Sequence, residues 1–259
     1  EEEEEEEEEK GKEEEEEGAT PLQEFYAYVY AGDLPSGAFG WAPAPRSLAF
    51  SLNYVAPAEA VLGGYGRGFL SRALLDAASL DEMEAVATMP GQCAGHNYQL
   101  MDFDAQRILN VEAANHDQAA VYEVVAAAAG KGEGSSPDES SSPDASPDAS
   151  PFSSPFFHAN EYLHLSLNQT YSASSQAREA RFAELDPPAD APAALAVLGD
   201  SQPTHPPTPP TATADGGEDD GDDVYTIYGD GLHDGYTLHS ALFDLKARTV
   251  AVMAGNPQE

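Results

Sequence analysis

Apolar residues are concentrated in three blocks of this chain, 21–129, 156–185 and 224–257. These blocks must contribute most of a hydrophobic core, because the segments between them are acidic or rich in Ser, Thr and Pro, apart from a short apolar stretch at 193–198. A chain of 259 residues allows one large domain or two small ones. We expect a single domain over residues 21–259.

The intervening segments are strongly biased in composition. Residues 1–17 hold 14 Glu and two Lys, and residues 130–155 consist mainly of Ser, Pro, Asp and Gly. Such segments bury too little apolar surface to offset the entropy lost on ordering them. We therefore expect a disordered polyglutamate tail at 1–20 and low-complexity insertions at 130–155 and 203–223.

The net charge of the chain argues against two classes of partner. It carries 47 acidic and 11 basic residues, a formal charge of -36. Such a surface repels the phosphates of nucleic acids and anionic lipid headgroups. With no run of 18 apolar residues, the sequence predicts no nucleic-acid partner, no membrane association and a cytoplasmic location. It does not indicate an oligomeric state.

Cysteine and glycine usage provides no sign of a cofactor. Cys93 is the only cysteine of the sequence, so it can form neither an intramolecular disulfide nor a CxxC metal site. The glycine-rich stretches 37–41 and 63–68 lack the GxGxxG pattern between a strand and a helix that binds dinucleotides. We interpret both stretches as turns and expect no cofactor.

The order of predicted elements favours an α+β fold. Short apolar runs bounded by polar turns predict strands, and apolar residues at helical spacing predict helices. The predicted strands are 25–30, 47–55, 97–103, 107–112, 119–125 and 156–165, and a hairpin is predicted at 237–245 and 249–254. The predicted helices are 67–77, one starting at Ser79 with Glu82 in a capping box, 175–185 and 193–198. Strands on either side of a helical pair indicate a layered sandwich and argue against a doubly wound parallel sheet.

Several short motifs follow one another in the order seen in one enzyme family. They comprise an extended segment with a glycine turn (25–41), a strand ending in Asn (48–53), an arginine-bearing helix (68–75), a glycine entry to a strand (94–98), a strand ending in Glu (110–112), a His-x-Asn motif (158–161), a hairpin (237–244) and a Gly-Asn-Pro ending (255–257). With these motifs the chain resembles the acyl-CoA:6-aminopenicillanate acyltransferases, or isopenicillin-N acyltransferases, and relatives such as the insect β-alanyl-dopamine hydrolases. Glu161 stands where relatives often carry His, and residues 42–46 replace an Asn and a Gly.

The resemblance implies both a fold and a chemistry. The fold would be the four-layer αββα sandwich of the N-terminal-nucleophile hydrolases. The precursor would cleave itself before a cysteine, and the new α-amino group would act as base for the thiol. The substrate would be a small-molecule amide or acyl compound, undergoing hydrolysis or acyl transfer. The family's cysteine segment has no counterpart in this chain, so we expect it upstream of residue 1.

Asn160 is the candidate catalytic residue. In a strand over 156–165, alternation places His158, Asn160, Tyr162 and His164 on one face. The resemblance implies that the Asn160 amide donates a hydrogen bond to the oxyanion of the tetrahedral intermediate. The alternative is that Asn160 only satisfies neighbouring backbone groups.

Two further residues are candidates for the substrate pocket. Asn53 matches the Asn at the end of the family's strand and is expected to line the pocket, although an Asn at a strand end also commonly begins a turn. His158 shares the predicted face of Asn160. His158 and His164, six residues apart on a strand, would have Cα atoms ~20 Å apart, so we expect no metal site.

Cys93 is an alternative nucleophile, because His96 is near it in the sequence. The family's cysteine lies upstream, however, and a small buried residue is the competing interpretation of Cys93. Two other functions stay open for the whole chain. It is a non-catalytic remnant that serves as a binding module or a truncated gene product, or it is an acidic interaction protein that acts through its charged segments.

Overall fold

A computed structural model describes most of the apolar sequence. The described residues are 24–35, 37–125, 152–153, 155–206, 224–229 and 237–258. The predicted tail at 1–20, nearly all of the insertion at 130–155 and most of the one at 203–223 lie outside them.

The described residues form nine strands and four helices. In chain order these are β1 (Tyr26–Tyr28), β2 (Phe39–Ala42), β3 (Leu48–Val55), α1 (Arg67–Leu74), α2 (Leu80–Ala87), β4 (Gly95–Asp102), β5 (Arg107–Ala114), β6 (Gln118–Val125), β7 (Phe152–Ser153), α3 (Ala173–Glu184), α4 (Ala191–Leu198), β8 (His239–Asp244) and β9 (Thr249–Ala254). Strands β1 to β6 pair antiparallel in sequence order, and β7 adds to β6 in parallel. Strands β8 and β9 form the predicted hairpin. The described part of the protein is thus a mixed α/β structure built on a six-strand antiparallel sheet with few helices.

One face of the large sheet packs against helices α1 and α2. The register aligns Phe50 with Leu100 and Leu100 with Leu109, so these side chains form a row on that face. Leu74 and Met83 of the two helices join the same buried cluster. Burial of apolar side chains is the main favourable term in folding, and this cluster is the largest core of the described residues.

The opposite face of the sheet is covered at one end by the β8–β9 hairpin. Ala49 and Met101 form a second core cluster there, against which Phe243 and Val250 of the hairpin pack. The described residues therefore form three successive layers: helices, sheet and hairpin.

The start of one helix follows the capping chemistry expected from the sequence. Ser79 caps α2 by accepting the N–H of Glu82, and the Glu82 carboxylate accepts the N–H of Ala78. This confirms the predicted capping pair. Helix α1 begins after Gly66 without a side-chain cap. None of the helices in the described ranges is long and apolar enough to cross a membrane.

The predicted bounds of β1, β3, β4, β5 and β6 agree with the structure to within two residues.

The interpretation of residues 37–41 as a turn is wrong. Residues 39–42 form β2, a short strand with a glycine at its centre. A Cβ at Gly40 would lie 2.8 Å from Leu75 Cδ2 and 2.9 Å from the Tyr26 carbonyl oxygen. Glycine is required for this close approach.

The predicted strand at 156–165 is also wrong, since these residues form no strand. Their backbone N–H groups bond to side chains instead of a neighbouring strand. Ala159 donates to Glu179 and Leu165 donates to Glu112. Alternation of polar and apolar residues cannot distinguish these two arrangements.

His96 in β4 provides a test of the packing between the sheet and the helices. Its ring is fully buried, and its Nε2 lies 2.5 Å from Gln92 Oε1. Burial and the charge of Arg67 lower the pKa of His96 from 6.5 to about 4. The unfolded chain therefore binds a proton at His96 below pH 6.5, whereas the folded protein binds it only below about pH 4. We expect the free energy of unfolding to fall by about 3 kcal/mol as the pH drops through this window. In His96→Asn the dependence of the unfolding free energy on pH should be flatter, as measured by urea unfolding between pH 7 and pH 4.5.

His116→Asn is the matched control, since His116 is exposed and has a positive φ of 58° that Asn tolerates. This variant should keep the wild-type slope. An unchanged slope in His96→Asn would contradict the expectation.

Candidate active site

A cavity of about 530 Å³ lies where the end of β3 meets the start of α1. Asn53 and Asn160, far apart in the sequence, both line it. Asp33 and Arg67 place one carboxylate and one guanidinium in the same cavity. The cavity is therefore polar, with two amide side chains and a charge of each sign.

Asn53 connects strand β3 to the segment that carries Asn160. Its Nδ2 donates to the carbonyl oxygens of His158, at 2.7 Å, and Ala159, at 3.1 Å. Asn53 therefore holds the two peptide groups that directly precede Asn160.

The Asn160 amide is fixed at both ends. Its Nδ2 donates to the Tyr54 carbonyl at 2.8 Å, and its Oδ1 accepts from Arg178 Nη2 at 2.9 Å. Its backbone N–H donates to Ser175 Oγ at 3.2 Å. An amide nitrogen carries two hydrogens, and Tyr54 takes one of them. This arrangement orients the amide nitrogen of a cavity-lining residue.

A buried carboxylate organises the other side of the segment. Glu112 of β5 is fully buried and accepts His158 Nε2 at 2.9 Å. It also accepts the backbone N–H groups of Leu163, His164 and Leu165. Burial alone would raise the pKa of Glu112, but the bonds from His158 and from the backbone outweigh it and hold the pKa below its ordinary value.

The structure places His158 against Glu112. Its side chain is 3% exposed, and its Nδ1 lies 2.8 Å from the Ala159 carbonyl oxygen. His158 is not among the described residues that line the cavity. Its backbone carbonyl oxygen accepts a hydrogen bond from Asn53 Nδ2.

The separation expected between His158 and His164 is wrong, because the segment is not extended. Their ring centroids lie 6.4 Å apart. Within the described part of the chain, no group of three or more His, Cys, Asp or Glu side chains is arranged to hold a metal ion.

Cys93 lies in the loop between α2 and β4. It is partly buried, and its backbone N–H donates to the Tyr65 carbonyl at 3.1 Å. It is absent from the described residues lining the cavity with Asn53 and Asn160.

A second cavity, of about 450 Å³, has mainly apolar and aromatic walls. Phe39 and Phe243 meet edge to face in its lining, with ring centroids 5.9 Å apart. It shares Tyr30, Ala38 and Leu52 with the polar cavity. An apolar compartment therefore lies directly beside the polar one.

Comparison with known proteins assigns the family. The model of the acyl-coenzyme A:6-aminopenicillanic acid acyl-transferases matches residues 46–208, more than half of the chain. The chain belongs to this acyltransferase family. No curated protein and no solved structure matches it. The matched span contains Asn53, Glu112 and Asn160, so both amides and the carboxylate lie in the part that the acyltransferase model describes.

Sequence reasoning missed three residues around the polar cavity. Glu112 was seen only as the end of a strand motif, although a carboxylate inside the apolar run of β5 signals a buried acceptor. Arg178 and Glu179 were assigned only to a helix. Burial raises the pKa of Glu179, which accepts the Ala159 N–H at 2.6 Å. No local pattern indicates which loop these two residues contact.

Gly95 controls how closely the segment approaches the sheet. A Cβ at this position would lie 1.8 Å from Tyr162 Oη and 2.6 Å from the Val55 carbonyl oxygen. We expect Gly95→Ala to reduce the free energy of unfolding by about 3 kcal/mol, because Tyr162 must move away from its bond to the Ala113 carbonyl. Urea unfolding measures this loss.

Gly66→Ala serves as the control, since a Cβ there meets only Phe69 Cδ2 at 3.9 Å. Its loss should stay below about 1 kcal/mol. Equal losses in the two variants would show that Tyr162 is free to shift.

Proposed function

We propose that this chain provides the oxyanion-binding part of a cysteine-type N-terminal-nucleophile acyltransferase or amidohydrolase. The substrate is a small-molecule amide or acyl compound. The observation that carries the proposal is the meeting of Asn53 and Asn160 in one polar cavity. Membership of the acyltransferase family supports the reaction class.

Asn160 stabilises the tetrahedral intermediate through its amide nitrogen. One Nδ2 hydrogen is held by the Tyr54 carbonyl, and the other is available to an oxyanion in the cavity. The Arg178 guanidinium on Oδ1 keeps the amide from flipping and polarises it. A preorganised donor of this kind gains most where water is excluded.

The nucleophile is a cysteine outside this sequence. Cys93 is not among the described residues that line the polar cavity, which supports a nucleophile other than Cys93. In the mechanism implied by the family, that cysteine's own α-amino group takes the thiol proton, the thiolate attacks the acyl carbon, and the amine departs with a proton. The acyl group is then passed to water or to another acceptor.

The four-layer αββα arrangement belongs to the same proposal. The helices α1 and α2 and the large sheet form two layers, and the β8–β9 hairpin begins the next one on the opposite face. A second sheet assembled on this hairpin would cover the polar part of the large sheet. The apolar cavity beside the hairpin would then accommodate part of the acyl group.

The alternative function is a non-catalytic binding module. It is favoured by the contact of Asn160 with Tyr54, which already occupies one donor of the amide. A binding module needs the cavity but no nucleophile.

The test uses the full-length gene product and a panel of acyl p-nitroanilides, with hydroxylamine as a second acyl acceptor. We expect mass spectrometry to show a cleaved precursor whose larger fragment begins with Cys. We expect Asn160→Ala to lower turnover ~100-fold or more with the fold intact, as for loss of one oxyanion donor. Cys93→Ala should leave turnover unchanged.

Asn168→Ala is the matched control, because Asn168 is exposed three residues beyond the 156–165 segment and is not among the described residues of the cavity. It should retain wild-type turnover. An uncleaved precursor that is indifferent to Asn160→Ala, yet binds the anilides, would favour the binding module.

A further inference from the structure

The segment that carries Asn160 is held by side chains in place of backbone pairing. From Ala159 to Leu165, five N–H donors besides that of Asn160 bond to the side chains of Glu179, Gln169 and Glu112. A segment without ladder or helix bonds takes its shape from whatever accepts its N–H groups. The position of Asn160 therefore depends on these acceptors.

Glu112 supplies the largest share of these acceptors. Its Oε1 accepts from Leu163 at 2.7 Å and its Oε2 accepts from Leu165 at 2.8 Å, while His164 lies 3.2 and 3.0 Å from the two oxygens. An ionised carboxylate only accepts hydrogen bonds. An isosteric carboxamide would present an NH₂ group to backbone N–H donors.

His158 extends the influence of Glu112 to the peptide beside Asn160. Its Nε2 faces the Glu112 carboxylate and its Nδ1 faces the Ala159 carbonyl oxygen. The same carbonyl accepts from Asn53 Nδ2. A continuous set of contacts thus runs from Glu112 through His158 to the residue that precedes Asn160.

We propose that Glu112 is a positioning residue, which fixes the Asn160 amide in the cavity through His158 and three backbone N–H groups. The catalytic meaning of this role rests on the proposed function, but the positioning is measurable without turnover. Glu112 lies outside the described cavity lining, so it acts through the segment and not on a ligand.

The test compares Glu112→Gln with Glu123→Gln. Glu123 lies on the neighbouring strand, where its half-exposed carboxylate pairs with Arg107. We expect Glu112→Gln to accelerate hydrogen exchange at the amides of residues 163–165 by at least tenfold and to shift the Asn160 side-chain NH₂ resonances. Those resonances are assigned by their loss in Asn160→Ala. Glu123→Gln should change neither signal.

A folded Glu112→Gln protein with wild-type exchange and wild-type Asn160 resonances would overturn the proposal. His158→Gln serves where Glu112→Gln fails to fold. A glutamine reaches Glu112 with one donor but cannot also bond the Ala159 carbonyl. It should keep the protection of residues 163–165 while shifting the Asn160 resonances, and unchanged resonances would overturn the proposal.

Turnover of the full-length gene product separates this inference from the proposed function. We expect Glu112→Gln to lower kcat by about tenfold or more and to leave KM within about threefold. If Asn160→Ala leaves turnover intact while Glu112→Gln shifts the Asn160 signals, the proposed function fails and the positioning role stands. If only Asn160→Ala has an effect, the positioning role alone fails.

Discussion

The buried carboxylate of Glu112 is the interaction on which the rest of the candidate site depends. An irregular segment over a sheet leaves backbone N–H groups without ladder partners, and an unpaired buried donor costs ~1–3 kcal/mol. Glu112 satisfies three such groups and an imidazole with one side chain. These donors in turn stabilise its charge in a place from which water is excluded. Segment and carboxylate are therefore mutually dependent.

The two faces of the large sheet differ in chemistry, so that one face supports the hydrophobic core and the other supports the candidate site. Phe50, Leu100 and Leu109 make the helix face apolar. The opposite face changes along the strands, from Ala49 and Met101 under the hairpin to Asn97 and Glu112 near the irregular segment. Strands β3, β4 and β5 each contribute to both the core and the candidate site, because successive side chains alternate between the two faces and the register pairs residues of the same face. The apolar face supplies the stability on which the polar one depends.

The sequence predicted the elements whose interactions are local. The run of strands from β3 to β6 and the capping of α2 by Ser79 follow from alternation and from a three-residue spacing. The 156–165 segment was mistaken for a strand because its alternation is genuine, while the acceptors of its N–H groups, Glu112 and Glu179, are distant in the sequence. The closeness of Asn53 and Asn160 was suggested only by resemblance to a family. No periodicity encodes which strand end meets which loop.

Under the proposed function, the charges around Asn160 would let a neutral amide act as a hydrogen-bond donor to an oxyanion in so acidic a chain. Arg178 bonds to Asn160 Oδ1, and its charge is also felt by Glu161 and Glu179, whose pKa values burial raises. A developing oxyanion beside bare carboxylates would be repelled, since charges interact strongly at low dielectric. Placing the guanidinium on the far side of the amide counters that repulsion. In the proposed mechanism it would also leave the cation one residue removed from the reacting atoms, so that the donor facing the substrate would be uncharged and directional.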